Sequence, residues 1–217
     1  MIYAINMFKA FTFSIVLFLF SGLVFGQNFV GPTGGISYTS VSFSNFEGIR
    51  QGGYGLSAFK GISYKYLPKK ELGVVIQAHL SELSFTERLS DSLSYHYKYK
   101  EASLQFMSHL FIDIGRVRPY LEAGPAISWY QSPSAPDSVA NSVLPEFVDY
   151  NLNKVLLGIA GGPGVTISFG VAELSVYGRY VMTLSNLYRH VDGRSQPFAL
   201  QGGATLHVRI GKKREPE

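Results

Sequence analysis

The stretch FALQGGATLHVRI, Phe198–Ile210, alternates at every step. Phe198, Leu200, Gly202, Ala204, Leu206, Val208 and Ile210 share one face, and Ala199, Gln201, Gly203, Thr205, His207 and Arg209 the other. Successive side chains of a strand point to opposite sides, so a period of two specifies a strand that is apolar on one face and polar on the other. The pattern recurs in 173–184, where Leu174, Val176, Tyr180, Met182 and Leu184 oppose Glu173, Ser175, Tyr177, Arg179 and Thr183. It recurs again in 120–130, where Leu121, Ala123, Pro125, Ile127 and Trp129 oppose Glu122, Gly124, Ala126 and Ser128. Five less regular runs cover 34–43, 53–66, 72–85, 97–113 and 154–168. No stretch after Gln27 repeats apolar residues at helical spacing. The expectation is an all-β fold of eight strands. Lys60 falls on the apolar side of its run, which predicts a bulge or a shifted register there.

The connections alternate in length. Leu67–Lys70, Gly115–Val117 and Phe169–Val171 read as tight turns, whereas 44–51, 86–94, 131–153 and 185–196 read as longer polar loops. Short turns at one end and long loops at the other are the construction of outer-membrane barrels, and an even strand count then puts both termini in the periplasm. A soluble sandwich or lipocalin-like barrel would show the same alternation with the apolar face inward. Two features favour the inverted arrangement. Gln77, Gln105, Glu122, Arg179 and Gln201 lie in mid-strand on a face where Gly, Ser, Gln and Ala, rather than Lys and Glu, dominate. Aromatic residues of the apolar face collect near strand ends, with Tyr64 and Tyr66 at the turn end and Tyr54, Trp129 and Phe198 at the loop end. That is the distribution of interfacial girdles. The fold expected is an eight-stranded antiparallel up-and-down transmembrane barrel over 27–210.

GIAGGPGVTISFG, Gly158–Gly170, invites a phosphate-loop reading that fails on two counts. Ile167 occupies the position of the last glycine of G-x-G-x-x-G, and the β-branched residues that follow favour a strand over the required helix. In the barrel reading Leu157, Ile159, Pro163, Val165 and Ile167 face lipid, while Gly158, Gly162 and Gly164 face the lumen. An eight-stranded interior is barely wide enough for side chains, so these glycines are expected to make room for larger residues opposite. Pro125 and Pro163 cannot donate to a ladder, which predicts local bulges.

Lys9 followed by AFTFSIVLFLFSGLVFG (Ala10–Gly26) reads as a signal peptide covering 1–26, cleaved near Gly26, with an uncleaved anchor as the rival reading. Residues 211–217 form a basic tail. The absence of cysteine excludes disulfides and thiolate chemistry. The formal net charge of +4 is spread along the chain without a stripe, so no nucleic-acid partner is expected.

RPYLEAGPAISW (Arg118–Trp129), LGIAGGPGVTISFG (Leu157–Gly170) and ELSVYGRYVMTLSNLY (Glu173–Tyr188) resemble the PorT-like outer-membrane β-barrel proteins of Bacteroidetes. The resemblance extends over about 29–210. It implies an outer-membrane barrel, and it carries no catalytic motif over to this chain. One departure is the end of the last strand, Ile210 followed by GKKREPE, where many outer-membrane barrels finish on an aromatic residue.

Candidate chemistry rests on inward polar residues. His79, His109 and His207 have inward parity, and His96 and His190 lie in or near loops. Ser81 and Ser108 lie near His79 and His109 in sequence, Ser108 with the opposite parity from its neighbour, and no tight His–Ser–acid set emerges. Neither a metal nor a cofactor is expected. Glu122, Glu173 and Arg209, with Arg179 also inward, are expected either to form a lumen charge cluster that plugs the turn end, since uncompensated charge in a narrow lumen is costly, or to stand as separate water-solvated charges. The function expected is a non-catalytic envelope protein whose partners are membrane lipid and a protein bound through its loops or periplasmic rim. The alternative is an enzyme acting on outer-leaflet lipid. A passive pore ranks third, because eight strands leave no aqueous channel.

Overall fold

A computed structural model describes residues 26–44, 51–90, 93–112, 114–131, 152–188 and 193–211. The segment 1–25, most of the long loop (132–151), His190 and the tail 212–217 lie outside the described residues. Eight antiparallel strands among the described residues close into a barrel in chain order. They are β1 (Gln27–Ser44), β2 (Gln51–Leu67), β3 (Leu72–Ser90), β4 (Leu93–Phe111), β5 (Val117–Tyr130), β6 (Val155–Phe169), β7 (Ala172–Thr183) and β8 (Arg194–Ile210).

Ladder partners taken once around the barrel run Asn28, Tyr66, Val74, Ser108, Ala123, Gly161, Tyr180, Leu200 and back to β1 at Tyr38. The path returns ten residues along β1 from its start, so the strands are staggered and tilt by about 35–45° to the axis. Closure leaves no sheet edge unpaired.

The two faces separate as the alternation requires. Leu121, Ile62, Leu200 and Leu206 stand on the exterior, 63%, 66%, 53% and 47% exposed, while Gln77, Glu122, Arg179 and Thr205 are buried in the lumen. An apolar exterior around a polar interior is the reverse of a soluble barrel and suits hydrocarbon surroundings. Tyr54 stacks on Tyr38 at 4.6 Å and meets Phe198 edge-on at 5.9 Å, and Phe198 in turn packs against Tyr180. Tyr38 and Tyr180 thus extend an aromatic belt at the loop end, where Trp129 is also exposed. At the turn end Tyr64 and Tyr66 are half-buried, and the Tyr64 hydroxyl donates to Asn28 Oδ1 at 2.5 Å.

The turns form where glycine permits them. Gly115 and Gly170 adopt φ of 77° and 70°, a region that L side chains disfavour. The hairpin β3–β4 departs from expectation. The ladder continues through Thr86↔His96 to Arg88↔Ser94, so most of 86–94 is strand and not loop. Lys60 does sit next to a register shift, between Tyr54↔Phe85 and Lys60↔Leu80, yet its side chain remains on the exterior. Pro125 and Pro163 produce no bulge. The β4–β5 ladder resumes at Ser108↔Ala123 after Gln105↔Ala126, and β6–β7 at Gly164↔Tyr177 after Gly161↔Tyr180, both in unchanged register. Each proline forgoes its bond on one side only, and the other neighbouring strand holds it in line.

Candidate functional site

The lumen is filled in layers. At the turn end, Glu173 on β7 receives Lys65 of β2 and Arg118 of β5, and Ser168 donates to it at 3.2 Å. Lys65 lies 5.2 Å from the Phe29 ring centre and Arg118 5.0 Å from that of Phe111, so both cations are also held against aromatic faces. Nearby, Ser63 Oγ and His207 Nε2 are 3.0 Å apart.

The middle layer centres on Arg179. Its Nε donates to Glu122 at 2.7 Å, its Nη1 donates to both Gln77 and Gln105, and its guanidinium lies 4.4 Å over the Tyr177 ring. His109 Nε2 is 2.9 Å from the second Glu122 oxygen. Gln77 donates to Tyr177 and Thr33, and Thr205 donates to Thr33 at 2.8 Å. The network ties β1, β3, β4, β5, β7 and β8 together across the interior.

Above it, Glu101 accepts from Ser128 at 2.6 Å and Ser81 at 3.0 Å, beside a cavity of about 30 Å³, room for one water. The loop end is closed by apolar residues, with Phe85, Tyr97 and Tyr99 packed together and Val41, Leu83, Leu156 and Leu187 around them.

The expected Glu122–Glu173–Arg209 cluster does not form. Glu173 stands opposite His207 in the ladder, whereas Arg209 lies past the end of β7, its amide bonded to Val171 O and its guanidinium to Gly170 O at the rim. The two glutamates sit in separate layers, each with its own cations, and Arg179 belongs to Glu122 alone. Lys65 and Arg118 were not singled out in the sequence. Lys65 has inward parity between Tyr64 and Tyr66, and that parity is the signal that identifies it. The lumen glycines also divide. A Cβ at Gly164 would lie 2.3 Å from the Tyr120 ring, which makes Gly164 a spacer for a large side chain, whereas at Gly158 and Gly162 it would meet backbone oxygens of β7 at 2.6 Å and 2.0 Å.

One histidine near the loop end bonds a serine: His96 is 3.2 Å from Ser84 Oγ and equally far from Thr86. Ser84 is buried, and among the described residues no carboxylate orients His96, so a nucleophile–base–acid order is not assembled there. His79 is buried with neither ring nitrogen hydrogen-bonded, packed instead against Phe59 at 5.2 Å.

Comparison with known proteins agrees with this architecture. Neisserial surface protein A superposes with a TM-score of 0.52 at 16% identity, over 84% of this chain and 97% of that one. The outer membrane protein OprG from Pseudomonas aeruginosa superposes with a TM-score of 0.51 at 12% identity, over 86% and 97%. At such identities the likeness is one of fold. No curated protein sequence matches. The family model described as "Outer membrane protein beta-barrel domain" matches residues 25–189, and the chain belongs to that family of integral outer-membrane β-barrel proteins.

Proposed function

We propose that this chain is a non-catalytic envelope protein, a plugged barrel that displays a partner-binding surface on its long loops or on its turn-end rim. The carrying observation is the filled lumen. Two ion-bonded layers and an apolar loop-end layer occupy it, and the cavity beside Glu101 has room for one water. Such an interior neither conducts nor holds a substrate-sized ligand. The loop end faces outward and both termini lie in the periplasm, after removal of residues 1–26. The resemblance to PorT-like proteins supports a role in the envelope without naming a partner.

Two measurements test this. Purified barrels in planar bilayers are expected to show no steady conductance, and a stable open channel sinks the plugged reading. Site-specific photocrosslinkers in 132–151 and at Lys69 or Arg116 are expected to trap one discrete protein partner in cells. The enzymatic alternative has the Ser84–His96 contact in its favour. Lipid profiles that change on Ser84→Ala, with the barrel still folded, would establish it in place of the binding reading.

A further inference from the structure

Lys60 is the one outward residue of β2 between Tyr54 and Tyr66 that carries a charge. It stands six residues from each of these tyrosines, the loop-end and turn-end aromatics of its strand. At about 3.3 Å per residue and a tilt of about 40°, twelve residues rise roughly 30 Å, so Lys60 sits midway across the apolar band. Its ladder partners are Gly34 and Leu80. The nearest outward carboxylate on the adjoining strand, Glu82, stands directly opposite Lys100 of β4, and no ion pair to Lys60 forms among the described residues. Lys60 is an unmatched cation facing lipid.

It also lines a concavity. A depression of about 620 Å³ crosses the exterior from β1 to β5. Ala78 and Ala102 keep part of its surface low, and Ile62, Leu80, Leu104 and Trp129 line it beside Lys60. An apolar trough with one cation has the chemistry of an amphiphile with a negative head.

We propose that this groove is a binding site for an anionic glycerophospholipid, with an acyl chain lying along the apolar residues and the phosphate drawn to the Lys60 ammonium. The flexible stem of Lys60 spans about 6 Å of the roughly 15 Å to either aromatic level, and a local thinning of the bilayer at the groove brings the phosphate the rest of the way.

Trp129 is the only tryptophan of the chain, so the groove carries its own reporter. The protein is reconstituted in phosphatidylcholine vesicles, and a small fraction of lipid with brominated acyl chains is added as phosphatidylglycerol or as phosphatidylcholine. Quenching of Trp129 is expected to need about fivefold less brominated phosphatidylglycerol, the preference that one basic residue confers near an anionic headgroup. Lys60→Leu and Lys60→Gln should abolish the preference, Lys60→Arg should keep it, and Lys100→Leu should leave it unchanged. Heat-modifiable migration checks folding of each variant. Equal quenching by the two lipids in the native protein overturns the site. So does a preference that survives Lys60→Leu and Lys60→Gln, or one lost in Lys100→Leu.

Discussion

Arg179 Nε donates to Glu122 Oε1 at 2.7 Å from β7 to β5, passing over β6, and the residue beneath the bond is Gly162. Glu122 is the ladder partner of Gly162 on one side, and on the other a Cβ at Gly162 would lie 2.9 Å from Arg179 Cα. Any side chain there would enter the gap that the ion pair bridges. The glycine-rich run of β6 therefore has a specific reason to lack side chains at this height.

Both partners of that bond are almost fully buried. Removing one leaves an uncompensated charge, which costs about 3–5 kcal/mol, whereas replacing both with apolar residues of similar volume is closer to neutral. Glu122→Gln and Arg179→Met should each lower the unfolding midpoint in urea, and the double variant should recover part of the loss. His109 and the glutamines soften both singles. Arg209→Met, whose guanidinium among the described residues meets the rim carbonyl of Gly170 and the Phe29 ring, should change stability by no more than about 0.5 kcal/mol. Strict additivity in the cycle would show that Glu122 and Arg179 are not coupled.

Gly162 and Gly178 form a matched comparison. A Cβ at Gly162 would lie 2.0 Å from the Gly178 oxygen, while one at Gly178 meets nothing within 4 Å. Gly162→Ala should destabilise the barrel by about 1–3 kcal/mol, as overpacking does, and Gly178→Ala by less than about 0.5 kcal/mol. The temperature at which heat-modifiable migration is lost ranks the two. Equal tolerance would mean that β6 does not approach β7 as closely as described.

The alternation that made the strands legible also made the faces legible, because lipid and lumen impose opposite demands on neighbouring residues. Leu206 and Thr205 could be assigned to opposite sides by parity alone. The ion partners could not, since they are set by stagger and by distance across the lumen. Glu173 and Arg209 look adjacent when strand ends are matched, but the register puts His207 opposite Glu173, and Lys65 arrives from the far wall. The β3–β4 hairpin was illegible for another reason. Thr86, Glu87 and Arg88 continue the ladder with polar residues, so the apolar signal that marks a strand disappears while the strand does not.

Face assignment makes its own prediction. Leu206→Arg places a charge on the apolar exterior and should cost about 2–4 kcal/mol, decreasing the nearer the site lies to an interface. Thr205→Val, on the lumen side, loses only its bond to Thr33, roughly 0.5–1.5 kcal/mol. Refolding titrations into lipid vesicles measure both. A Leu206→Arg barrel as stable as native would place that strand face against water.

Lys60 supplies the converse experiment, because there the native residue is the charged one. A lysine at the midplane of the apolar exterior costs about 2–4 kcal/mol relative to an apolar residue. In zwitterionic vesicles Lys60→Leu should therefore raise the unfolding free energy, by an amount that snorkelling of the native side chain reduces. In vesicles containing anionic phospholipid the native ammonium gains a partner, and the advantage of leucine should shrink by about 1 kcal/mol. Chemical unfolding of both proteins in the two vesicle types gives the four free energies needed. A leucine advantage of the same size in both lipids would show that Lys60 does not sense the headgroup. No advantage in either would show that its ammonium already reaches water.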